Sequence, residues 1–347
     1  MDISTMNQSS QSPNGTFCNS FWPSPVPLSY AIHLVVLIGL ASVIAVISNG
    51  VLLYSLYRTK QLETVMNKFV AAMSISDLLH SVLVMPVFAV TLTIRHKKRI
   101  CLLEKGTHFG LYLFAYFSYF MLMCIAFDRF FHIRRARHHG STISVFQMKL
   151  LMWSFAVISL LVSYVGISYI SFPFQVVNCV VNVLLISIVF VLYSTLVRKV
   201  RIHNRNFAKL MANSNISGHT QTKMDMTATR TMWMLLGTLF FCYAPFNITT
   251  PILSYVLYEQ HVESDVALSL ATTWAYVLIM YNCTINAILF GYGNGIIRRF
   301  IMRSIRDIIS SETPSSSQIE QIHIKQQYNR RCTYQLKEKS STVLAKE

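Results

Sequence analysis

Seven long apolar stretches, separated by short polar segments, constrain the fold of this chain more than any other feature. They lie at residues 31–57, 67–94, 102–131, 146–171, 174–200, 227–256 and 267–291. Several reach or exceed the roughly 18–20 residues that cross a bilayer as a helix, and one soluble core cannot hold them all. They are also too long for the strands of a membrane barrel, which run about 10 residues. The sequence therefore predicts an all-α membrane protein, a seven-transmembrane helix bundle.

The distribution of positive charge predicts how these helices are oriented. The chain has 30 Lys and Arg residues and a formal net charge of +16, a balance also found in nucleic-acid-binding proteins. If the N-terminus is outside, however, 25 of the 30 fall at the inner ends of the stretches, in the inner loops or in the C-terminal tail. The other five lie on the outer side, four between the second and third stretches and Lys105 near the start of the third. This asymmetry predicts a multi-pass membrane protein with its N-terminus outside and its C-terminus in the cytosol, and no nucleic-acid partner.

The segments outside the apolar stretches define three regions. Residues 1–30 are polar, are predicted to form an extracellular tail without a cleaved signal peptide, and carry glycosylation acceptors at Asn7 and Asn14. Residues 31–305 form the membrane domain. It ends in a short amphipathic eighth helix, whose isoleucines alternate with arginines and which is expected to lie on lipid of the inner leaflet. Residues 306–347 are predicted to be a disordered cytoplasmic tail.

Two of the connections between the stretches, and two cysteines on the outer side, predict further features of the chain. The connection at about 201–226 is basic and then rich in Asn, Ser and Thr, which predicts a long inner loop. Cys18 and Cys101 both fall on the outer side, in an oxidising compartment, and are candidates for a disulfide bond. The cluster Arg95–Arg99 also lies outside. It is either an electrostatic funnel for an anionic lipid or acidic peptide, or a solvated loop beside lipid headgroups.

The sequence carries no recognisable catalytic motif. It contains no phosphate-binding glycine loop, no dinucleotide glycine pattern, no metal-ligand spacing and no nucleophile with its base. We therefore predict that the chain is not an enzyme and needs no cofactor other than the sodium ion considered below.

Short motifs, one in each stretch and in a fixed order, resemble those of class A (rhodopsin-like) G-protein-coupled receptors. They are Ser48-Asn49-Gly50-Val51, the segment around Asp77, Asp128-Arg129-Phe130, Trp153, Tyr193, Cys242-Tyr243-Ala244-Pro245-Phe246, and Asn282 with Asn286-Ala287-Ile288-Leu289-Phe290. The resemblance covers about residues 31–305. It implies that the chain lies in the plasma membrane, that an outer ligand shifts the conformation of the bundle and that the inner face activates a heterotrimeric G-protein.

The resemblance assigns an activation switch to the inner half of the bundle. Arg129 is expected to pair at rest with Asp128 and with Asp225, and to face Tyr193 when the sixth helix swings outward. A simpler interpretation of Asp128-Arg129 is an anchor at the membrane edge. The remaining expected switch residues are Tyr243, Pro245, Asn286 and Phe290, with Pro245 as the lever of the sixth helix.

A carboxylate at mid-membrane depth, Asp77, is expected to be neutral or paired. By resemblance, Asp77, Ser118, Asn282 and Asn286 surround a sodium ion, the only metal expected, with Asn49 nearby. Hard cations prefer such oxygen ligands. The alternative is a hydrogen-bonded polar cluster without an ion.

Several positions depart from the family pattern. Tyr243 stands where the family has tryptophan, and Phe290 replaces a tyrosine. Leu185 stands where the fifth span usually has proline. A short second outer loop, the missing proline and Glu104 are similar to the melanocortin receptors, although Val87 and His108 do not repeat the acidic positions of that group.

The resemblance also places a ligand pocket in the outer half of the bundle. Its expected members are aromatic or uncharged: Leu111, Tyr112, Phe246, Asn247, Thr250 and Tyr276. Each of them could instead serve ordinary helix packing. Leu111 occupies the position of the aspartate of amine receptors, and Met280 that of the retinal lysine, so a peptide or lipid is favoured over an amine or retinal.

The predicted function is therefore that of a receptor for an unknown extracellular ligand, coupled to heterotrimeric G-proteins. Arrestin is a further expected partner, through the Ser- and Thr-rich tail. Two alternatives stay open: a non-signalling seven-helix partner or decoy protein, favoured by the altered switch residues, and a transporter, which would need charged residues along a path and a repeat between the halves.

Overall fold

The computed structural model of the chain describes residues 27–94, 100–134, 145–168, 172–212, 219–259 and 266–309. Seven of its helices are long and apolar enough to cross a membrane. No strand occurs within these ranges. The predicted fold class is confirmed.

Within these ranges, eight helices follow one another. They are α1 Leu28–Arg58, α2 Val65–Ile94, α3 Cys101–Arg134, α4 Val145–Ser168, α5 Phe172–Ala212, α6 His219–Ser254, α7 Val266–Gly293 and α8 Gly295–Ile309. A 3₁₀ turn, Gln61–Glu63, joins α1 to α2, and a π-helical turn, Tyr255–Glu259, extends α6.

Two predicted boundaries are corrected by the structure. The loop expected at 201–226 is mostly helical, because α5 continues to Ala212 and α6 begins at His219. Hydropathy marks where a helix leaves the lipid and not where it ends. A helix of 41 residues is about 60 Å long, twice the thickness of the hydrocarbon core. The boundary expected at 305/306 lies inside α8, which ends at Ile309.

Packing between helices closes a ring through α1, α2, α3, α5, α6 and α7, and α4 packs on α3. Neighbours in sequence pack against each other from α1 to α4, α5 packs against α6 and α6 against α7, and α7 returns to α1. α3 also contacts α5 and is the most buried span, whereas α4 is the least buried. Polar side chains on α3 and α7 are therefore placed to meet inside the protein and not in lipid.

A π-helical turn at His80–Val84 interrupts α2 just before Pro86. Proline has no N–H and its ring would meet the carbonyl one turn earlier, so the extra residue of the wider turn relieves this conflict. α3 passes close to this turn, since a Cβ atom added at Gly110 would lie 2.5 Å from the Cγ2 of Val84. The turn brings His80 and Ser81 into the interior, where both are buried.

The short helix α8 begins with a side-chain cap. The Oδ1 of Asn294 accepts hydrogen bonds from the backbone N–H groups of Ile296 and Ile297, at 3.1 and 3.4 Å. The chain divides into two compact units, 1–298 and 299–347, and the bundle belongs to the first. Amphipathic α8 is thus present as predicted, while its seat on the inner leaflet stays a prediction.

Candidate functional site

A polar cluster fills the middle of the bundle around Asp77 of α2. Its carboxylate is fully buried, and its Oδ1 accepts a hydrogen bond of 3.1 Å from the hydroxyl of Ser118 in α3. From α7, the side chains of Cys283 and Asn286 approach the same carboxylate. α2, α3 and α7 therefore meet at one carboxylate. A polar group in the membrane interior has no water around it and is stabilised by other polar groups of the protein.

Oxygen atoms in this cluster are left without hydrogen bonds. Within the described residues, the Oδ2 of Asp77 and the Oδ1 atoms of Asn282 and Asn286 have no partner, although all three residues are buried. Buried polar atoms are normally paired. Hard oxygen donors suit a sodium ion, so the residues fit the predicted ligand set. No group of three or more His, Cys, Asp or Glu that could hold a metal occurs in the described part of the chain.

Asn49 joins α1 to this cluster. Its amide nitrogen donates to the backbone carbonyls of Ala45, at 2.9 Å, and Cys283, at 3.1 Å. The second of these carbonyls belongs to α7, so the bond crosses between helices. Asn49 is fully buried, and its bond to Cys283 joins α1 to the helix that also carries Asn282 and Asn286.

His80 and Cys283 form a second polar contact next to the cluster. The Sγ of Cys283 lies 3.2 Å from the Nδ1 of His80, and the imidazole packs against Phe114 of α3, with ring centroids 5.6 Å apart. His80 is 2% exposed. Sequence reasoning did not select it, because a single histidine in an apolar stretch carries no spacing signal.

Aromatic side chains in the predicted pocket contact one another across α3, α6 and α7. Phe246 meets Tyr276 with ring centroids 5.2 Å apart and Tyr112 at 6.3 Å, both edge to face. The hydroxyl of Tyr276 lies 3.3 Å from the Nδ1 of His108. Leu111 is buried beside Tyr112 on α3. The structure therefore unites most of the predicted pocket residues.

Three amide side chains of α5 also face this region. Gln175 accepts a hydrogen bond of 3.4 Å from the hydroxyl of Tyr112, and Asn178 accepts one from the hydroxyl of Tyr116. Asn182 donates at 3.0 Å to Asn247, a predicted pocket residue of α6. The remaining pocket residue, Thr250, is buried and donates to the carbonyl of Phe246 in its own helix.

This amide row was missed by the sequence reasoning, although the signal was present. Gln175, Asn178 and Asn182 are separated by three and four residues within an otherwise apolar stretch. That spacing places them on one face of a helix. Costly polar side chains on one face of a membrane helix point toward the bundle interior.

The predicted switch residues lie on α3, α5, α6 and α7. Tyr193, Asn286 and Phe290 are buried, and Tyr243 packs against Tyr119 of α3 with ring centroids 4.6 Å apart. Pro245 lies inside α6.

The charged members of the switch are only partly described. Asp128 is half-buried near the end of α3. Arg129 and Asp225 lie on α3 and α6, but their side chains fall outside the described residues, so their pairing stays a prediction.

Cys101 at the start of α3 is disulfide-bonded. Cys124, Cys179, Cys242 and Cys283 are free, so the partner of Cys101 lies outside the described residues. Several other predicted features also lie outside the described residues: Cys18, the glycosylation acceptors Asn7 and Asn14, the cluster Arg95–Arg99 and the tail beyond Ile309. Pairing with Cys18 therefore stays a prediction.

Solved structures and curated sequences place this arrangement among known proteins. Squid rhodopsin superposes with a TM-score of 0.67 at 16% identity, covering 86% of this chain and 91% of that one, which shows a shared fold. The 5-hydroxytryptamine receptor 1B of Felis catus is 31% identical over 85 residues, 24% of this chain and 22% of that receptor. The 5-hydroxytryptamine receptor 1B of Homo sapiens is 32% identical over 79 residues, which are 23% of this chain and 20% of that receptor.

These serotonin receptors match only over about a fifth of their own length. The family described as "7 transmembrane receptor (rhodopsin family)" matches far more of the chain, residues 48–290. That range includes every motif from Asn49 to Phe290. The chain therefore belongs to the rhodopsin family of seven-transmembrane receptors, the class A G-protein-coupled receptors.

Proposed function

We propose that this receptor transmits the binding of an extracellular peptide or lipid to heterotrimeric G-proteins through an outward movement of α6. In this proposal the N-terminus is outside the cell and the C-terminus is in the cytosol, as the distribution of Lys and Arg indicates. The ligand shifts the population between two arrangements of the bundle by binding one of them more tightly.

One observation carries the proposal: α6 links the aromatic pocket to a close contact with α7. On one side of Pro245, Phe246 packs against Tyr112 and Tyr276. On the other side, Thr231 is buried against Gly293 at the end of α7. Proline removes a backbone hydrogen bond inside α6 and so provides a position at which the helix can bend. A change at the aromatic rings can therefore be transmitted along α6.

An uncharged ligand is favoured by the residues of the pocket. Phe246, Tyr112 and Tyr276 present rings, and Asn247 presents an amide. The serotonin receptors among the relatives match only a short part of the chain. Leu111, which stands at the position of the amine receptors' aspartate, provides no counter-charge for an ammonium group. Serotonin is therefore not proposed as the ligand.

Sodium is proposed to bind at the cluster of Asp77, Ser118, Asn282 and Asn286. When bound, it would supply a positive charge that balances the carboxylate and satisfies the unpaired oxygens. This would favour the arrangement in which α2, α3 and α7 lie close together. Arrestin binding through the phosphorylated tail is a further part of the proposal.

A G-protein activation panel tests the proposed function. The full-length chain is expressed in cells with biosensors for each G-protein class, and basal output is compared with that of Arg129→Ala at equal surface expression. We expect output for at least one class, reduced by Arg129→Ala. Output that is flat for every class, and unaffected by Arg129→Ala, would favour the non-signalling alternative, which the replacements at Tyr243 and Phe290 support.

A further inference from the structure

The amide row of α5, which we define as Gln175, Asn178 and Asn182, is buried between α3 and α6. The three side chains are 1%, 5% and 3% exposed. Each already has one hydrogen bond, to Tyr112, Tyr116 and Asn247 respectively. All three pairings join uncharged groups, so the row adds hydrogen-bonding capacity to the pocket without adding charge.

Two atoms of the row are left unsatisfied. Within the described residues, the Nε2 of Gln175 and the Oδ1 of Asn182 have no hydrogen-bond partner. Asn182 lies near the hydroxyl of Tyr116. That hydroxyl has a single proton, however, and donates it to Asn178. One unsatisfied donor and one unsatisfied acceptor therefore remain at the two ends of the row, and each is costly where no water or ligand reaches it.

The separation of Gln175 and Asn182 along α5 suggests the length of a ligand. Gln175 and Asn182 are seven residues apart, which corresponds to about 10 Å along a helix. An extended peptide advances about 3.3–3.6 Å for each residue. Three consecutive amide groups therefore span the row. Between its ends, the rings of Tyr112 and Phe246 offer an apolar surface for a side chain.

We infer that the amide row binds the backbone of a short, uncharged, extended peptide segment. A carbonyl of the peptide accepts from the Nε2 of Gln175, and an N–H two or three amides away donates to the Oδ1 of Asn182. This deepens the proposed function and rests on it, because it names the ligand class of the same pocket. A free ammonium or carboxylate beside the row would be buried without a compensating charge from the row, which is costly.

Three matched probes test this inference by binding alone, without a G-protein. They are the dipeptide of phenylalanine acetylated at its N-terminus and amidated at its C-terminus, the same dipeptide with a free carboxylate, and the same dipeptide with a free amine. Each is added to the detergent-solubilised full chain, and the shift in thermal unfolding temperature is measured. We expect the fully blocked dipeptide to stabilise the receptor and the two charged forms to have at least about tenfold weaker effects.

Variants test whether stabilisation by the blocked dipeptide depends on the amide row. Gln175→Met removes the amide but also leaves the hydroxyl of Tyr112 without its acceptor, so it is combined with Tyr112→Phe. The single variant Tyr112→Phe keeps the amide of Gln175 and is the control. The blocked dipeptide should bind this control, and should bind the double variant about tenfold more weakly, the effect of one buried hydrogen bond. Ser187→Ala, on the exposed face of α5, should not change binding.

Three results would overturn the inference. They are a blocked dipeptide that does not stabilise the wild-type chain, charged forms that bind equally well, and a double variant that binds like Tyr112→Phe. Lysophosphatidic acid is tested in parallel, and stabilisation by it that requires Gln175 would assign the row to lipid. A receptor that binds the blocked dipeptide but activates no G-protein would refute the proposed signalling and leave this inference intact.

Discussion

Gly293 at the end of α7 lies directly against Thr231 of α6. A Cβ atom added at Gly293 would be 2.3 Å from the Oγ1 of Thr231 and 2.7 Å from its Cβ. Thr231 is 3% exposed, so its side chain is enclosed. The two helices approach this closely only because residue 293 has no side chain. The contact therefore joins α6 closely to the end of α7.

Gly293→Ala should displace α6 from α7 and raise basal signalling several-fold. The added methyl group overlaps Thr231, and moving the helix relieves the overlap. Basal G-protein activation at matched surface expression measures the effect. Gly295→Ala is the control, because a Cβ at that position meets nothing within 4 Å. Equal basal output from both variants would show that Thr231 adapts without movement of α6.

Asp77→Asn should remove the effect of sodium on receptor stability. In the wild-type chain, NaCl should raise the unfolding temperature more than KCl at the same ionic strength, because a bound ion stabilises the folded state by mass action. Asparagine keeps one oxygen but removes the charge. Unfolding curves of the solubilised protein in the two salts provide the measurement. If both salts act alike on the wild-type chain, the cluster holds no sodium.

Asp225→Ala should raise basal signalling if Asp225 restrains Arg129. An ion pair at a protein surface contributes at most about 1 kcal/mol, so its loss should change the population ratio by up to roughly fivefold. Basal output in cells measures it. Glu63→Ala, which removes an acidic residue from the connection between α1 and α2, is the control. Unchanged output from Asp225→Ala would contradict the predicted pairing of Asp225 with Arg129.

Asn49→Leu should lower the free energy of unfolding by about 1–3 kcal/mol. It leaves the carbonyl of Cys283 without the hydrogen bond that joins α1 to α7. Thermal unfolding in detergent measures the loss. Ser48→Ala is a matched control, since the hydroxyl of Ser48 bonds only to Ala45 in its own helix. Similar losses in the two variants would mean that the interhelical bond adds nothing.

Cys18→Ala and Cys101→Ala should reduce stability equally, and the double variant should lose no more than either alone. This is the pattern of two residues that share one disulfide bond. Surface expression and unfolding temperature are measured for all three. Cys332→Ala should match the wild-type chain. If Cys332→Ala instead reproduces the loss of Cys101→Ala, the predicted pairing with Cys18 is wrong.

The seven spans and the depth of their polar residues could be predicted from the sequence. Asp77 and Ser118 were placed together from their positions in family motifs, and their hydrogen bond of 3.1 Å agrees with that placement. Asn49 was expected nearby and does bond to α7. The extent of α5 and α6 beyond the membrane was not predicted, because hydropathy falls where the helix enters water although the helix continues.

The sequence by itself determined that this chain crosses the membrane seven times and belongs to the rhodopsin family. The cost of moving each segment into lipid depends on that segment alone, and the motifs keep their order along the chain. Only the tertiary structure decided that Gln175 meets Tyr112, that Asn182 meets Asn247 and that Gly293 meets Thr231. These contacts depend on the rotation and separation of neighbouring helices, which packing between many side chains fixes and no single segment encodes.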